Sequence, residues 1–280
     1  MSYKSEAVQF EGSKGRLLTG VYRSGGGDVC LVTVHGWGAN RIGPNDLLVT
    51  LCKRAADFGQ NSLCFDLSGR GDSLGSPDAV CVDDMMDDVA SAVEYARSRG
   101  AKRVVLFGLC SGGNAALGAV SCGSDVQEVV AVSTFPFVEI EDKGAKAKKT
   151  AGFARGYFLK LFKAETWVKL FRGAVSFKGV WRTLFGHHSK QQVSQDRKLK
   201  DTRRDVLKGL ESYRGRIVHI YATADPEYTP SREYFEREYE ARGIEANYIE
   251  ISRANHNFYG LQWRETLWNA VETALEQAQR

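Results

Sequence analysis

Residues 104–117 read "VVLFGLCSGGNAAL": an apolar run meets a glycine, a cysteine follows two positions later, and further glycines open a run of helix formers. The change from a continuous apolar run to helix-forming residues marks a strand that turns directly into a helix. A nucleophile on such a strained turn needs small residues two positions before and two after it. Larger side chains there would collide with the turning backbone. Gly108 and Gly112 meet that need about Cys110, whereas the register centred on Ser111 fails because Leu109 takes the first small position. The turn also sets Cys110 at the start of the following helix, where the dipole and free N–H groups favour negative charge. The plain alternative is an inert cysteine buried in a tight turn.

Working outward, short apolar runs alternate with helical patterns. "VCLVTVHG" (29–36), "NSLCFDLSG" (61–69), "RVVLFG" (103–108), "VVAVST" (129–134), "RIVHIYATAD" (216–225) and "ANYIEIS" (246–252) read as strands. Their near-continuous Val/Ile/Leu character is that of parallel strands covered on both faces. Helical patterns fall at residues 45–58, 82–99, 112–121, 231–242 and 260–279. Residues 7–10 and 17–22 flank a Gly/Ser/Lys turn and read as an antiparallel hairpin at the sheet edge. Strand and helix in alternation predict an α/β fold with a doubly wound, mostly parallel sheet.

The positions of two further residues complete a pattern. Asp225 closes the strand ending "YATAD", and His256 lies in the polar loop "SRANHNF" before the last helix. Cys110, Asp225 and His256 therefore follow one another as nucleophile, acid and base do in α/β-hydrolases. In that arrangement His256 takes the thiol proton, and Asp225 fixes its tautomer and stabilises the imidazolium. Glu227 is the rival acid, two residues farther from the strand end. "HGWG" (35–38) follows the third strand, so the backbone N–H of Trp37 and that of Ser111 are the candidate oxyanion donors. His35 either lines the substrate site or positions this loop, and His219 reads as a core histidine. "DLSGRGDS" (66–73) reads as a structural turn tethering a strand end through Arg70 and Asp72. His187 and His188 have no partners at ligand spacing, so no metal site is expected.

The alternation breaks between the sixth strand and residue 210. Residues 141–210 hold 18 lysines and arginines against 6 aspartates and glutamates, a net of +12, while the remainder of the chain is −8. This predicts a basic, aromatic-rich helical lid at 141–210 inserted into a core of residues 1–140 and 211–280. In "FARGYFLKLFK" (153–163) the aromatics and Leu161 gather on one half of the helical wheel and the basic residues on the other. Either the aromatics close over the core above a solvated lysine face, or Phe153, Phe158, Trp167 and Trp181 line an acyl pocket. Docking of the lysines on an anionic surface is a third reading, which makes the lid a peripheral membrane contact. The whole-chain charge of +4 gives no reason to expect nucleic acid as a partner. Six scattered cysteines without a CxxC pair, no apolar segment after the first charges and no run of about 18 apolar residues predict a protein of the reducing cytoplasm.

These motifs resemble the α/β-hydrolase superfamily over nearly the whole chain outside the insert. The cysteine-centred elbow is similar to those of dienelactone hydrolases and polyhydroxyalkanoate synthases, which pair cysteine with aspartate and histidine. The closer likeness is to the exosortase A system-associated hydrolases, through "DLSGRGDSLG", "FGLCSGGNAAL", "ETWVKLFRGAVSFKGVWRTLF" and "ANHNF". The resemblance implies the α/β-hydrolase fold and acyl transfer through a Cys-His-Asp triad, with no cofactor. The first expectation is a hydrolase of an ester or thioester working through a thioacyl-enzyme, its acyl group free or carried on coenzyme A or an acyl carrier protein. An acyltransferase using the same intermediate, and a non-catalytic module binding an acyl ligand or membrane surface, remain the alternatives.

Overall fold

A computed structural model describes residues 3–137 and 202–280, which lie in one compact unit formed by residues 1–138 and 199–280. Among the described residues eight strands form one sheet: β1 Lys4–Glu11, β2 Leu17–Ser24, β3 Val29–Val34, β4 Asn61–Phe65, β5 Arg103–Leu109, β6 Glu128–Val132, β7 Arg216–Ala222 and β8 Asn247–Ile251. Their spatial order is β1-β2-β4-β3-β5-β6-β7-β8. β1 pairs antiparallel with β2 and β2 antiparallel with β4; every later pairing is parallel. The α/β-hydrolase architecture expected from the sequence is present, with the hairpin at one edge.

Burial explains which runs became central strands. Every residue of β3 and of β4 is buried, and β5 is buried from Val104 onward. β1, at the edge, buries only Val8 and Phe10 on alternate positions. Two helical layers cover the sheet. On one face α1 (Leu47–Asp57) and α6 (Leu261–Gln279) bring Leu47, Leu51, Trp268 and Leu275 against Leu31, Val105 and Val130. On the other, α2 (Val82–Ser98), α3 (Ser111–Ser121), α4 (Val206–Leu210) and α5 (Tyr228–Arg242) pack over Val32, Leu106 and Val129. Each fully buried aliphatic side chain contributes about 1.5–3 kcal/mol of transfer free energy.

Two of the differences from the sequence reading have a clear physical cause. α5 begins at Tyr228, before Pro230 rather than after it, because the amides of a first helical turn have no partner within the helix to lose. Residues 202–210 fall within the segment read as insert, yet α4 packs against α3 and adds Val206, Leu207 and Leu210 to the core. Its amphipathic pattern, taken from sequence as part of the lid, is that of a core-facing helix. The rest of that segment lies outside the described residues.

Candidate active site

The strand order reverses between β3 and β5, and a sheet of this kind opens a crevice at the C-terminal ends of such a pair. Val34 pairs with Gly108, so the residues just beyond them, His35–Trp37 and Leu109–Ser111, run side by side. Cys110 sits at the bend with φ 58° and ψ −129°, outside the regions that a non-glycine residue prefers. Such a conformation costs about 1–3 kcal/mol and persists only where the surroundings impose it. Here the Cys110 N–H donates to the Val132 carbonyl (2.8 Å) and Gly113 N–H donates back to the Cys110 carbonyl (2.9 Å).

The flanking glycines are held by close backbone approach. A Cβ on Gly108 would stand 2.4 Å from the Gly112 oxygen, and one on Gly112 would stand 2.4 Å from the Val34 oxygen and 2.6 Å from that of His35. The small-residue rule about Cys110 thus has a physical origin in β3 and α3 themselves. Gly112→Ala is expected to lower stability by about 1–3 kcal/mol, the usual cost of overpacking. Urea denaturation followed by circular dichroism measures it, and an unchanged midpoint would show that the β3 carbonyls yield freely.

The candidate acid and base come from the loops that follow β7 and β8, the last two strands of the sheet. β7 and β8 pair in parallel, Ala222 opposite Ile251, and their C-terminal loops are joined by backbone bonds from Thr223 N–H to the Ile251 carbonyl (3.1 Å) and from Ala224 N–H to that of Ala254 (3.0 Å). These bonds bring Asp225 to His256: Nδ1 of His256 lies 2.5 Å from Asp225 Oδ2, while Asp225 Oδ1 accepts from the Glu227 N–H at 3.1 Å. Of the two candidate acids, Asp225 is therefore the one that meets the imidazole. The Asp225 side chain is 6% exposed and that of His256 36%, so the ion pair faces solvent only on the histidine side. Hydrogen bonds to Asp225 and then to Cys110 raise the His256 pKa to about 10 from an ordinary 6.5, over the opposing effect of burial. At neutral pH that value keeps the imidazole protonated, with Cys110 the second influence after Asp225.

The loop after β3 is held by His35. His35 is fully buried: Nδ1 lies 2.8 Å from the Gly36 carbonyl, and Nε2 accepts from the Leu67 N–H at 3.0 Å. Both nitrogens are engaged, and burial lowers its pKa to about 4, so His35 is a neutral brace between two loops. Arg70 does not pair with Asp72. Its Nε donates to the Trp37 carbonyl (2.5 Å) and its guanidinium lies 5.1 Å from the centre of the Trp37 ring. Arg41 takes the expected role instead, bonding the buried Asp66 through its backbone N–H (2.7 Å) and its side chain, and Asp72 through Nη2 (2.7 Å). The turn at 66–73 does tether a strand end, and through Arg70 it also fixes the Trp37 peptide. Sequence reasoning missed Arg41 because it lies 25 residues from its carboxylate partner.

Trp37 N–H, read from sequence as an oxyanion donor, donates to Ser111 Oγ at 2.5 Å. His219 is buried between Tyr239, Thr134 and Tyr221, and burial holds it neutral with a pKa of about 3. Among the other cysteines, Cys30, Cys52 and Cys64 are buried and Cys122 is exposed. Cys64 is more than an inert filler, for hydrogen bonding from Cys52 and from the Arg23 guanidinium (3.3 Å) favours its thiolate. Phe153, Phe158, Trp167 and Trp181 lie outside the described residues. Among the described residues no three His, Cys, Asp or Glu side chains gather as a metal-binding group, and no helix is long and apolar enough to cross a membrane.

A doubly wound sheet with a strained strand-to-helix elbow and an Asp–His pair from the last two strand ends defines the class of α/β hydrolases. The sequence matches the alpha/beta hydrolase family over residues 31–267, and the chain belongs to that family. An esterase from Pyrococcus furiosus is similar across 100% of this chain and 92% of its own, with a TM-score of 0.69 and 18% identity. The alpha/beta hydrolase GrgF from Penicillium sp. sh18 matches over 99% of each chain with a TM-score of 0.66 and 16% identity. Est1E from Butyrivibrio proteoclasticus, in a structure with ferulic acid bound, covers 97% of this chain and 99% of its own with a TM-score of 0.65 and 13% identity. At these identities the likeness is one of fold. Among curated proteins no sequence matches.

Proposed function

We propose that the protein hydrolyses an ester or thioester through a Cys110–His256–Asp225 triad and a thioacyl-enzyme. The observation that carries this reading is the His256 imidazole bonded to Asp225 and drawn toward its charged form by Cys110 as well, with Cys110 on the strained elbow. In the first half-reaction the Cys110 sulfur, its proton transferred to His256, attacks the acyl carbon and the carbonyl electron pair moves onto oxygen. As the tetrahedral intermediate collapses, His256 gives its proton to the leaving alcohol or thiol. In the second half-reaction neutral His256 removes a proton from water, and the hydroxide releases the acid and restores the sulfur. Asp225 keeps the imidazole oriented and stabilises its charge throughout.

Ester cleavage is supported by the family and by the esterases among its structural neighbours. The cysteine nucleophile rests on the elbow geometry about Cys110 and on the resemblance to the exosortase A system-associated hydrolases. We take the acyl group to be carried by an anionic donor such as coenzyme A or an acyl carrier protein, since residues 141–210 carry a net of +12.

Intact-protein mass spectrometry after mixing with p-nitrophenyl esters and acyl-CoA thioesters tests this reading. A single acyl adduct is expected within seconds on the wild type and none on Cys110→Ala. Decay of the adduct in water alone marks a hydrolase, whereas decay only on adding an alcohol or amine marks a transferase. An adduct that survives in Cys110→Ala, or none with any donor, overturns the proposal.

A further inference from the structure

The backbone N–H of Ser111 is a candidate oxyanion donor from the sequence, yet its side chain also has a defined place. The hydroxyl is buried, with Ser111 only 3% exposed, and it accepts the Trp37 N–H at 2.5 Å. A hydroxyl carries one hydrogen beside its acceptor lone pairs. Among the described residues no acceptor takes that hydrogen. The hydroxyl also lies next to the nucleophile, under the same backbone: a Cβ on Gly36 would stand 3.3 Å from Cys110 Cβ and 3.7 Å from Ser111 Oγ. The N–H assigned from sequence to the oxyanion thus points at a hydroxyl beside the nucleophile.

Resting on the acyl-transfer reading above, we propose that the Ser111 hydroxyl is itself an oxyanion donor, polarised by the Trp37 N–H behind it. As the Cys110 sulfur bonds to the acyl carbon, charge gathers on the acyl oxygen and receives two donors from one residue, the Ser111 N–H and the Ser111 O–H. The hydroxyl proton stays on Oγ throughout, and the proton for the leaving group still comes from His256. An O–H donated to an oxyanion is a short, charge-assisted bond, and the Trp37 N–H strengthens it by withdrawing density from Oγ. Arg70, bonded to the Trp37 carbonyl at 2.5 Å, polarises the same loop from the other side.

The competing geometry is a plug: the hydroxyl fills the hole at rest and leaves when substrate arrives, so that the Trp37 N–H meets the oxygen directly. The test compares Ser111→Ala and Ser111→Thr with the wild type in steady-state hydrolysis of p-nitrophenyl butyrate, and in alkylation of Cys110 by iodoacetamide, which forms no oxyanion. Loss of one oxyanion donor typically costs a hundredfold to a thousandfold in kcat. Ser111→Ala is expected to lose kcat on that scale with KM within about threefold. Its Cys110 alkylation rate should not change, and Ser111→Thr should recover most of kcat. Unchanged or faster turnover in Ser111→Ala identifies a plug and overturns the proposal. An equal loss in alkylation and turnover assigns the serine a structural role and also overturns it. A wild type that forms no acyl adduct overturns both this and the proposed function, whereas an adduct formed equally fast by Ser111→Ala sinks the hydroxyl's role alone.

Discussion

Cys110→Ser is expected to lose activity by about a hundredfold to ten-thousandfold at pH 7, and its pH profile should slope opposite to the wild type's. A serine hydroxyl must hand its proton to a base before it attacks, and that service is worth a hundredfold to ten-thousandfold. His256 is badly placed to provide it at neutral pH. Asp225, the larger of the influences that lift its pKa to about 10, remains in the variant, and only the Cys110 contribution is removed. The variant should therefore gain activity as pH rises and His256 loses its proton. The wild type, if the proposed mechanism holds and the imidazolium is its proton donor, should lose activity as pH passes about 10. Hydrolysis of p-nitrophenyl butyrate from pH 6 to 11 separates the two. If the serine variant keeps activity within about tenfold and follows the wild-type profile, His256 is an ordinary general base and the thiol is not essential.

Asp225→Asn is expected to cost about ten-thousandfold in kcat, the loss typical of an amide in place of a triad carboxylate. The variant removes the largest influence on His256, whose pKa falls from about 10 back toward 6.5. The alkaline limb of activity should shift to lower pH accordingly. Stability follows the same linkage. Because the folded value lies above the unfolded 6.5, the contribution of the Asp225–His256 pair is complete below pH 6.5 and disappears as pH rises through about 10. Urea midpoints of the wild type and Asp225→Asn should accordingly converge between those pH values. Glu227→Gln serves as the control: its rate should stay within a few-fold of wild type, and a loss as large as that of Asp225→Asn would reverse the assignment of the acid.

Cys122 and Cys64 bear on how labelling of Cys110 is read. Cys122 is exposed and will react with iodoacetamide at an ordinary rate. Cys64 is drawn toward thiolate by Cys52 and Arg23, but it is buried in β4 and closed to reagent. A faster second site at Cys110 is the signature of the triad.

The elements of the candidate site were legible in the sequence to different depths. Gly108, Cys110 and Gly112 form a local pattern within five residues, and local sterics govern it, so reading them needed no knowledge of partners. Asp225 and His256 were legible through their places at strand ends, since a parallel sheet presents such ends at one edge. Residues 202–210 were misread because an amphipathic helix has the same pattern whether it belongs to a lid or packs on α3. His35 was assigned two roles because a histidine after a strand looks the same lining a pocket or bracing a loop. Only the Leu67 N–H and the Gly36 carbonyl, reached through folding, decide between them.

By itself the sequence determined the α/β order of elements, the elbow about Cys110 and the succession of Cys110, Asp225 and His256 at strand ends, because hydrophobic period and steric need are written in adjacent residues. The tertiary structure alone decided that Asp225 rather than Glu227 meets His256, that Arg41 rather than Arg70 binds Asp66 and Asp72, and that the Trp37 N–H ends on the Ser111 hydroxyl. Those choices turn on hydrogen-bond geometry between loops tens of residues apart, and such loops become neighbours only once β3 lies beside β5 and β7 beside β8.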